Sequence, residues 1–220
     1  NLVELGAAYR IDDAVRRIIR AKFKAGLFEK YASGQIGTKN IHAGTELGAP
    51  EHRDVARQAV RESMVLLKNT NGVLPLRRSS RIFVAGKSAD NIRNQCGGWT
   101  MSWQGTSTEE HHQIVGGTTI LEGLRSLITG SIVFVENGSG ASAADYDVAV
   151  VVVGETPYAE GFGDNGQLTL DTFDLQTVSN VKASNLPMVL VLVTGRPMVV
   201  TTEIEGADAV NKSYPDFYRD

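Results

Sequence analysis

The chain has 220 residues, enough for one large domain or for a domain with a fragment of another. Its 22 basic and 25 acidic residues give a net charge of −3, without the basic stripe that nucleic-acid binding requires. The longest apolar runs, 148–153 and 188–193, are strand-sized and far below the roughly 20 residues that cross a bilayer, so neither nucleic acid nor a membrane is an expected partner.

The N-terminal part of the chain has a helical pattern followed by an irregular stretch. Apolar residues at helical spacing predict an amphipathic helix over 11–28, with Gly26 as a stop signal. Nothing before this helix supplies a surface for its apolar stripe, so residues 1–31 are expected to belong to a preceding domain. Residues 32–50 are rich in Gly, Thr and Ala and lack periodicity, which predicts a linker.

After Pro50 the pattern alternates between helices and strands. Three periodic segments predict helices, at 51–67, 118–128 and 174–183. Four β-branched runs predict buried strands, at 81–85, 131–135, 146–153 and 188–194. This alternation predicts an α/β fold over residues 51–220, with a mostly parallel sheet sandwiched by helices.

The end of the chain departs from this regularity. The strand-rich pattern stops at Ala209-Val210, and the polar and aromatic segment 211–220 follows it. Too few elements follow Val193 to complete the sheet. The α/β domain is therefore expected to be truncated or to lack a segment near residue 210.

Three short motifs suggest binding sites that the rest of the sequence does not support. Gly86-Lys87-Ser88 follows a strand like the end of a phosphate-binding loop, but Arg81 stands where that loop needs glycine. Gly195-Arg196-Pro197 is better interpreted as a turn. His111 and His112 have no further His or Cys at ligand spacing. No metal and no cofactor are therefore expected.

Both tryptophans of the chain, Trp99 and Trp103, lie in the glycine-rich segment 95–105, after a predicted strand. Loops that contact ligands in α/β sheets lie beyond the carboxyl ends of the strands. A tryptophan in such a loop is either packed in the core or exposed as a stacking platform, and a flat ring suits the apolar face of a pyranose. The residues alone leave both interpretations open.

A second segment, 154–170, follows a buried strand and carries Glu155, Glu160 and Asp164 among glycines and a proline. Glycosidic cleavage needs one carboxylic acid to protonate the leaving oxygen and a second carboxylate across the sugar. The acid must stay protonated near its working pH, which burial or a nearby negative charge achieves. The same loop is compatible with calcium binding or with simple solvation, so three alternatives stay open.

Together these segments resemble glycoside hydrolase family 3, especially its β-glucosidases and exo-β-glucanases. Six stretches carry the resemblance in the family's order, RIDDAVRRIIRAKFKAGLFE, PEHRDVARQAVRESMVLLKN, QCGGWTMSWQG, GGTTILEGL, VVVGETPYAEGFGDN and VLVTGRPMVV. The third and the fifth are highly specific. The family implies a barrel-like first domain with an aspartate nucleophile and an α/β sandwich domain with the general acid/base. Residues 1–31 then resemble the helical end of the barrel-like domain.

The resemblance assigns the general acid/base to Glu160, while the nucleophilic aspartate lies outside this chain. It places Trp103 in the wall of the subsite for the leaving sugar, with Trp99 as its neighbour. Three further residues are expected to support the loop that carries Glu160, namely Glu155, Asp164 and Asn165.

The expected function is hydrolysis of β-glucosidic bonds from the non-reducing end, with retention of configuration. The implied partners are a β-glucoside or β-glucan oligosaccharide and the barrel-like domain of the same enzyme. Because one carboxylate cannot fill both catalytic roles, the 220 residues alone are expected to be inactive. The family implies a secreted or periplasmic location, although no signal peptide is visible in the chain. The alternatives are a non-catalytic carbohydrate-binding or regulatory α/β domain and a nucleotide-using α/β protein.

Overall fold

The computed structural model describes four parts of the chain, residues 8–33, 48–105, 114 and 116–213. The chain divides into two compact units, Asn1–Ala49 and Pro50–Asp220. Most of the predicted linker, the paired histidines at 111–112 and residues 214–220 lie outside the described parts. Within those parts, no helix is both long and apolar enough to span a membrane.

The first unit contains two helices, α1 (Ala8–Lys24) and α2 (Leu27–Ala32). The prediction of one helix over 11–28 is wrong at its end, because the helix is interrupted between α1 and α2. Gly26 lies at the break with φ at 65°, in the left-handed region that glycine adopts without a steric penalty. The apolar stripe of α1 is exposed, as Ile18 shows at 58% exposure.

The second unit is built around one six-stranded sheet. Its strands are β1 (Val65–Asn69), β2 (Ile82–Ala85), β3 (Ile132–Phe134), β4 (Val148–Gly154), β5 (Met188–Val193) and β6 (Ala209–Ser213). They lie in the order β1-β6-β5-β4-β2-β3, and every neighbouring pair is parallel except the antiparallel pair of β1 and β6. The predicted mostly parallel sheet is confirmed.

Helices cover both faces of this sheet. The described residues of the unit form five of them, α3 (Pro50–Ser63), α4 (Ile92–Cys96), α5 (Ile120–Leu127), α6 (Thr172–Lys182) and α7 (Thr201–Gly206). Leu121 of α5 belongs to the same core cluster as Val150, whereas Val181 of α6 belongs to the cluster of Val151 on the opposite face. Because successive strand residues point to opposite faces, β4 must be apolar throughout, as its uninterrupted valine run shows.

The structure differs from the predicted elements at one edge of the sheet. The helix predicted over 51–67 ends at Ser63, and the residues after Met64 form β1 because their backbone pairs with β6. After Val193 the structure has α7 and β6, and β6 joins the sheet between β1 and β5. Ala209 and Val210 of β6 are fully buried, and burial of these side chains stabilises the added strand.

Candidate active site

Three loops follow the carboxyl ends of parallel strands and meet at one edge of the sheet. The aromatic loop, residues 97–105, comes after β2 and α4, and the acid loop, residues 155–171, comes after β4. Residues 194–200 follow β5. Side chains from all three loops line a solvent-open cavity of about 530 Å³. This edge is where α/β sheets of this kind bind ligands.

Glu160 begins a short 3₁₀ turn, Glu160–Gly163, within the acid loop. Its φ of 53° lies in the left-handed region, which is strained for a residue with a side chain. Its side chain is exposed, and its carboxylate has no hydrogen-bond or ion-pair partner among the residues that the structure describes. Among the described residues, only the backbone of the loop therefore restrains this residue, and it fixes the direction of the Cα–Cβ bond.

The aromatic loop presents the rings of Trp99 and Trp103 side by side, with 6.4 Å between their centroids. The backbone N–H of Trp99 donates a hydrogen bond to the carbonyl oxygen of Trp103 at 2.9 Å, which closes the loop. The two residues are 60% and 45% exposed. Neither ring is a core residue, so the loop offers aromatic surface to a ligand.

The aromatic loop and the acid loop are in direct contact. The ring of Trp103 meets that of Phe162 edge-on, with 5.2 Å between centroids and an interplanar angle of 77°. The side-chain amide of Gln104 donates to the carbonyl oxygen of Ala159 at 3.2 Å and accepts from its N–H at 2.9 Å. Because Ala159 and Phe162 flank Glu160 in the sequence, these contacts join the aromatic loop to the part of the acid loop that carries Glu160.

Glu155, the first residue of the acid loop, is held by two side chains. Its Oε1 accepts a hydrogen bond from Nε of Arg196 at 2.8 Å and lies 2.6 Å from Nη2, while its Oε2 accepts from the hydroxyl of Tyr158 at 3.2 Å. The guanidinium of Arg196 also lies 4.5 Å from the centroid of the Tyr158 ring. These contacts join the start of the acid loop to the segment after β5.

Asp164 and Asn165 line the cavity in the second half of the acid loop. The backbone N–H of Asp164 donates to the carbonyl oxygen of Gly161 at 3.1 Å. The side-chain oxygen of Asn165 accepts from the N–H of Gln167 at 3.0 Å. Both bonds are local to the loop and restrain its turns.

A cluster of Lys87, Asp171 and Asp174 lies where β4 ends. Nζ of Lys87 pairs with Asp171 and lies 3.1 Å from Oδ2 of Asp174. Oδ2 of Asp174 also accepts from the N–H of Gly154 at 2.9 Å, while Oδ1 has no partner among the described residues. Burial raises the pKa of Asp174 to about 6, although the N–H of Gly154 and the charge of Lys87 oppose this.

This cluster does not amount to a metal centre. Two carboxylates converge here, but both pair with the ammonium group of Lys87. In the part of the chain that the structure describes, no group of three His, Cys, Asp or Glu side chains is placed to hold a metal ion.

Several residues at this edge were missed by sequence reasoning. Lys87 belongs to a motif rejected as a phosphate-binding loop, and Arg196 belongs to one interpreted as a turn. Asp171 carries a recognisable signal, since it caps α6 by accepting from the N–H of Asp174 at 2.9 Å. Nothing in the sequence indicates Gln104, because its partners are backbone atoms 55 positions away.

The fold of this chain is that of a known family of enzymes. The model for the glycosyl hydrolase family 3 C-terminal domain matches residues 64–216, more than half of the chain. The chain belongs to glycoside hydrolase family 3. A lysosomal β-glucosidase of Dictyostelium discoideum is 32% identical over 214 residues, covering 89% of this chain and 25% of the relative. A periplasmic β-glucosidase of Salmonella typhimurium is 29% identical over 232 residues, covering 93% of this chain and 30% of the relative.

Solved structures of an exo-β-glucanase and of a β-glucosidase match nearly the whole chain. An exo-1,3/1,4-β-glucanase from a Pseudoalteromonas species has a TM-score of 0.85 at 43% identity, covering 98% of this chain and 27% of that enzyme. A β-glucosidase from Listeria innocua, solved with isofagomine, has a TM-score of 0.78 at 26% identity, covering 99% and 30%. The chain thus spans only about a quarter to a third of the length of these relatives.

Proposed function

We propose that this chain is part of a retaining β-glucosidase or exo-β-glucanase that cleaves β-glucosidic bonds from the non-reducing end. The chain supplies the general acid/base, Glu160, and an aromatic wall for the leaving sugar, Trp103 with Trp99 beside it. The nucleophilic aspartate belongs to a barrel-like domain outside the chain. The observation that carries this proposal is the contact of Trp103 with Phe162, which brings a sugar-stacking surface within two residues of Glu160.

The two steps of the reaction use Glu160 in opposite protonation states. In the first, its carboxylic acid gives a proton to the glycosidic oxygen while the aspartate attacks the anomeric carbon and the leaving sugar departs. In the second, its carboxylate takes a proton from the water that hydrolyses the glycosyl-enzyme. The side chain of Glu160 is exposed in this chain, so a substrate can reach it.

The substrate is a β-glucoside or β-glucan oligosaccharide. The relatives of this chain are named as β-glucosidases, a β-xylosidase and an exo-1,3/1,4-β-glucanase. A mutant of the Listeria innocua β-glucosidase was solved with laminaribiose, a glucose disaccharide. The paired rings of Trp99 and Trp103 suit the apolar face of the sugar that leaves.

The domain organisation follows from the same proposal. Residues 1–31 form the helical end of the barrel-like domain, residues 32–50 the linker, and residues 51–220 the α/β sandwich domain. The division of the chain into Asn1–Ala49 and Pro50–Asp220 supports this boundary. A secreted or periplasmic location, outside the cytosol, is supported by the relatives that are named periplasmic and lysosomal.

The test is the substitution Glu160→Gln in the full-length enzyme, assayed on glucosides with poor and with activated leaving groups. A placed proton donor contributes about 10²–10⁴-fold, so kcat/KM on the poor leaving group should fall by that order. The activated leaving group departs without protonation, so the rate of the first step should change little on that substrate. An equal loss on both substrates contradicts the assignment.

Glu205→Gln provides a matched control. Glu205 is an exposed glutamate of α7 that does not line the cavity, and its substitution should leave both substrates unaffected. If Glu160→Gln also leaves both unaffected while saccharide binding persists, the chain is a non-catalytic carbohydrate-binding domain.

A further inference from the structure

The backbone immediately before Glu160 is held by a single side chain from the other loop. Ala159 is 4% exposed, so its N–H and C=O need partners within the protein. Gln104 provides both, accepting from the N–H at 2.9 Å and donating to the carbonyl oxygen at 3.2 Å. One amide group therefore determines the position of the peptide groups on both sides of Ala159.

The position of these peptide groups determines where the side chain of Glu160 leaves the backbone. That carboxylate has no hydrogen-bond or ion-pair partner among the described residues, so none of their side chains orients it directly. The backbone of Glu160 is also strained, with φ at 53°, and such a conformation persists only where the surroundings impose it. The two hydrogen bonds at Ala159 are adjacent to that strain.

Close packing on both sides keeps Gln104 in this role. A Cβ atom on Gly98 would lie 2.0 Å from the carbonyl oxygen of Tyr158, and one on Gly105 would lie 3.0 Å from Cβ of Pro157. The two loops therefore touch before and after the point where Gln104 crosses between them. Gln104 follows Trp103 directly, so the residue that stacks the sugar and the residue that holds the acid loop are adjacent.

We infer that Gln104 is a positioning residue, which orients Glu160 for proton transfer and links that orientation to the aromatic loop. This inference rests on the proposed role of Glu160. Gln104 does not touch the reacting atoms. It acts through the backbone of Ala159, and its effect should appear in kcat for the step that needs the acid rather than in KM.

The decisive variant is Gln104→Glu in the full-length enzyme, because its new carboxyl can be switched by pH. When protonated, that carboxyl can accept from the N–H of Ala159 and donate to its carbonyl oxygen, as the amide does. When ionised, it loses the donor and repels the carbonyl oxygen. Burial favours the protonated form of such a carboxyl and the N–H of Ala159 favours the ionised form, so the variant is assayed over the whole pH range in which the wild-type enzyme is active.

The expected result is a pH-dependent defect on the poor leaving group. The ratio of variant to wild-type kcat should approach one at low pH and fall about tenfold or more as the new carboxyl ionises. The shape-conserving variant Gln104→Met, which makes neither hydrogen bond, should lose a similar factor at every pH. On an activated leaving group, both variants should lose much less in the first step.

Measurement of Glu160→Gln on the same substrates distinguishes a failure of the positioning role of Gln104 from a failure of the proposed function. If Glu160→Gln shows the leaving-group dependence and the Gln104 variants do not, the positioning role is wrong and the proposed function stands. If Glu160→Gln shows no such dependence, both fail. A ratio for Gln104→Glu that does not change with pH, or equal losses on both leaving groups, also overturns the inference. Because the same folded variant is compared with itself at different pH values, a pH-dependent change in the ratio does not arise from a failure to fold.

Discussion

Gly98 of the aromatic loop faces the carbonyl group of Tyr158 in the acid loop at a distance that excludes any side chain. A Cβ atom on Gly98 would lie 2.0 Å from that oxygen and 3.3 Å from Cβ of Ala159. The carbonyl oxygen and the Cβ atom are bonded directly to the backbone, so they cannot move away by a side-chain rotation as the end of a long side chain can. The position of the aromatic loop therefore limits where the acid loop can lie.

Gly98→Ala should displace the acid loop or destabilise the domain. Overpacking of this kind costs about 1–3 kcal/mol in the free energy of unfolding. Activity on a poor leaving group should fall with it, because Glu160 moves with its loop. Gly166→Ala is the matched control, since Gly166 lies in the same acid loop and a Cβ atom added there would meet nothing within 4 Å. Equal effects of the two substitutions, measured by urea unfolding and by kcat/KM, would argue against close contact between the loops.

Trp103→Ala should weaken longer substrates more than short ones. Stacking on an aromatic ring is worth about 1–3 kcal/mol in other systems, and only a substrate with a sugar in the leaving position can use it. KM for a β-glucan oligosaccharide should therefore rise while KM for a small aryl glucoside changes little. Trp103→Phe keeps a flat ring and should retain most of the affinity. An equal rise in KM on both substrates would contradict the placement of Trp103 in the wall of the leaving-sugar subsite.

Because of Asp174, the free energy of unfolding should decrease as pH rises from about 4 to about 6. Its pKa is about 6 in the folded protein and 3.8 ordinarily, so the folded state binds more protons in this range. The shift of about two units corresponds to about 3 kcal/mol of unfolding free energy lost as pH rises through this window. The difference in that free energy between wild type and Asp174→Asn should change by this amount.

The neighbours of Asp174 define the control for this prediction. Burial raises the pKa of Asp171, but Lys87 and backbone N–H groups outweigh it and hold the pKa below its ordinary value. The stability that Asp171 contributes is present above its unfolded pKa and lost as pH falls, in both proteins alike. Urea unfolding at several pH values is the measurement. Parallel curves for wild type and Asp174→Asn would mean that Asp174 titrates normally.

The 220 residues expressed alone should hydrolyse no glucoside. The chain carries only the proposed general acid/base, and the proposed nucleophile lies in the barrel-like domain, so the first step would have no attacking group. In a second experiment, the barrel-like domain is produced separately and added to the chain before the assay. Measurable hydrolysis by the chain alone, abolished by Glu160→Gln, would show that the second carboxylate lies within it.

Much of the fold could be predicted from the sequence because its core strands are locally unambiguous. The valine run of β4 is apolar without alternation, and that pattern has few interpretations other than a strand buried on both faces. The predicted start of α5 was also close, since Thr119 and Glu122 form a capping box at its first turn. By contrast, Val65-Leu66-Leu67 continues a helical pattern, and only the distant partner β6 makes it a strand.

The candidate site was less accessible because its contacts join distant parts of the chain. The acidic and tryptophan-containing segments follow predicted strands, so their meeting at one edge was foreseeable. The bonds of Gln104 to Ala159 and of Arg196 to Glu155 were not, since no local pattern pairs these positions. The motif around Lys87 suggested a phosphate as its partner, whereas its partners are Asp171 and Asp174.

The most direct test of the role of Glu160 is the reaction of Glu160→Ala, in the full-length enzyme, with azide and an activated β-glucoside. Without its base, this variant should accumulate the glycosyl-enzyme, and azide needs no base to attack it. If Glu160 is the acid/base, azide accelerates turnover and the product is the β-glucosyl azide. An α-glucosyl azide would make Glu160 the nucleophile instead, and no acceleration would contradict its role as acid/base.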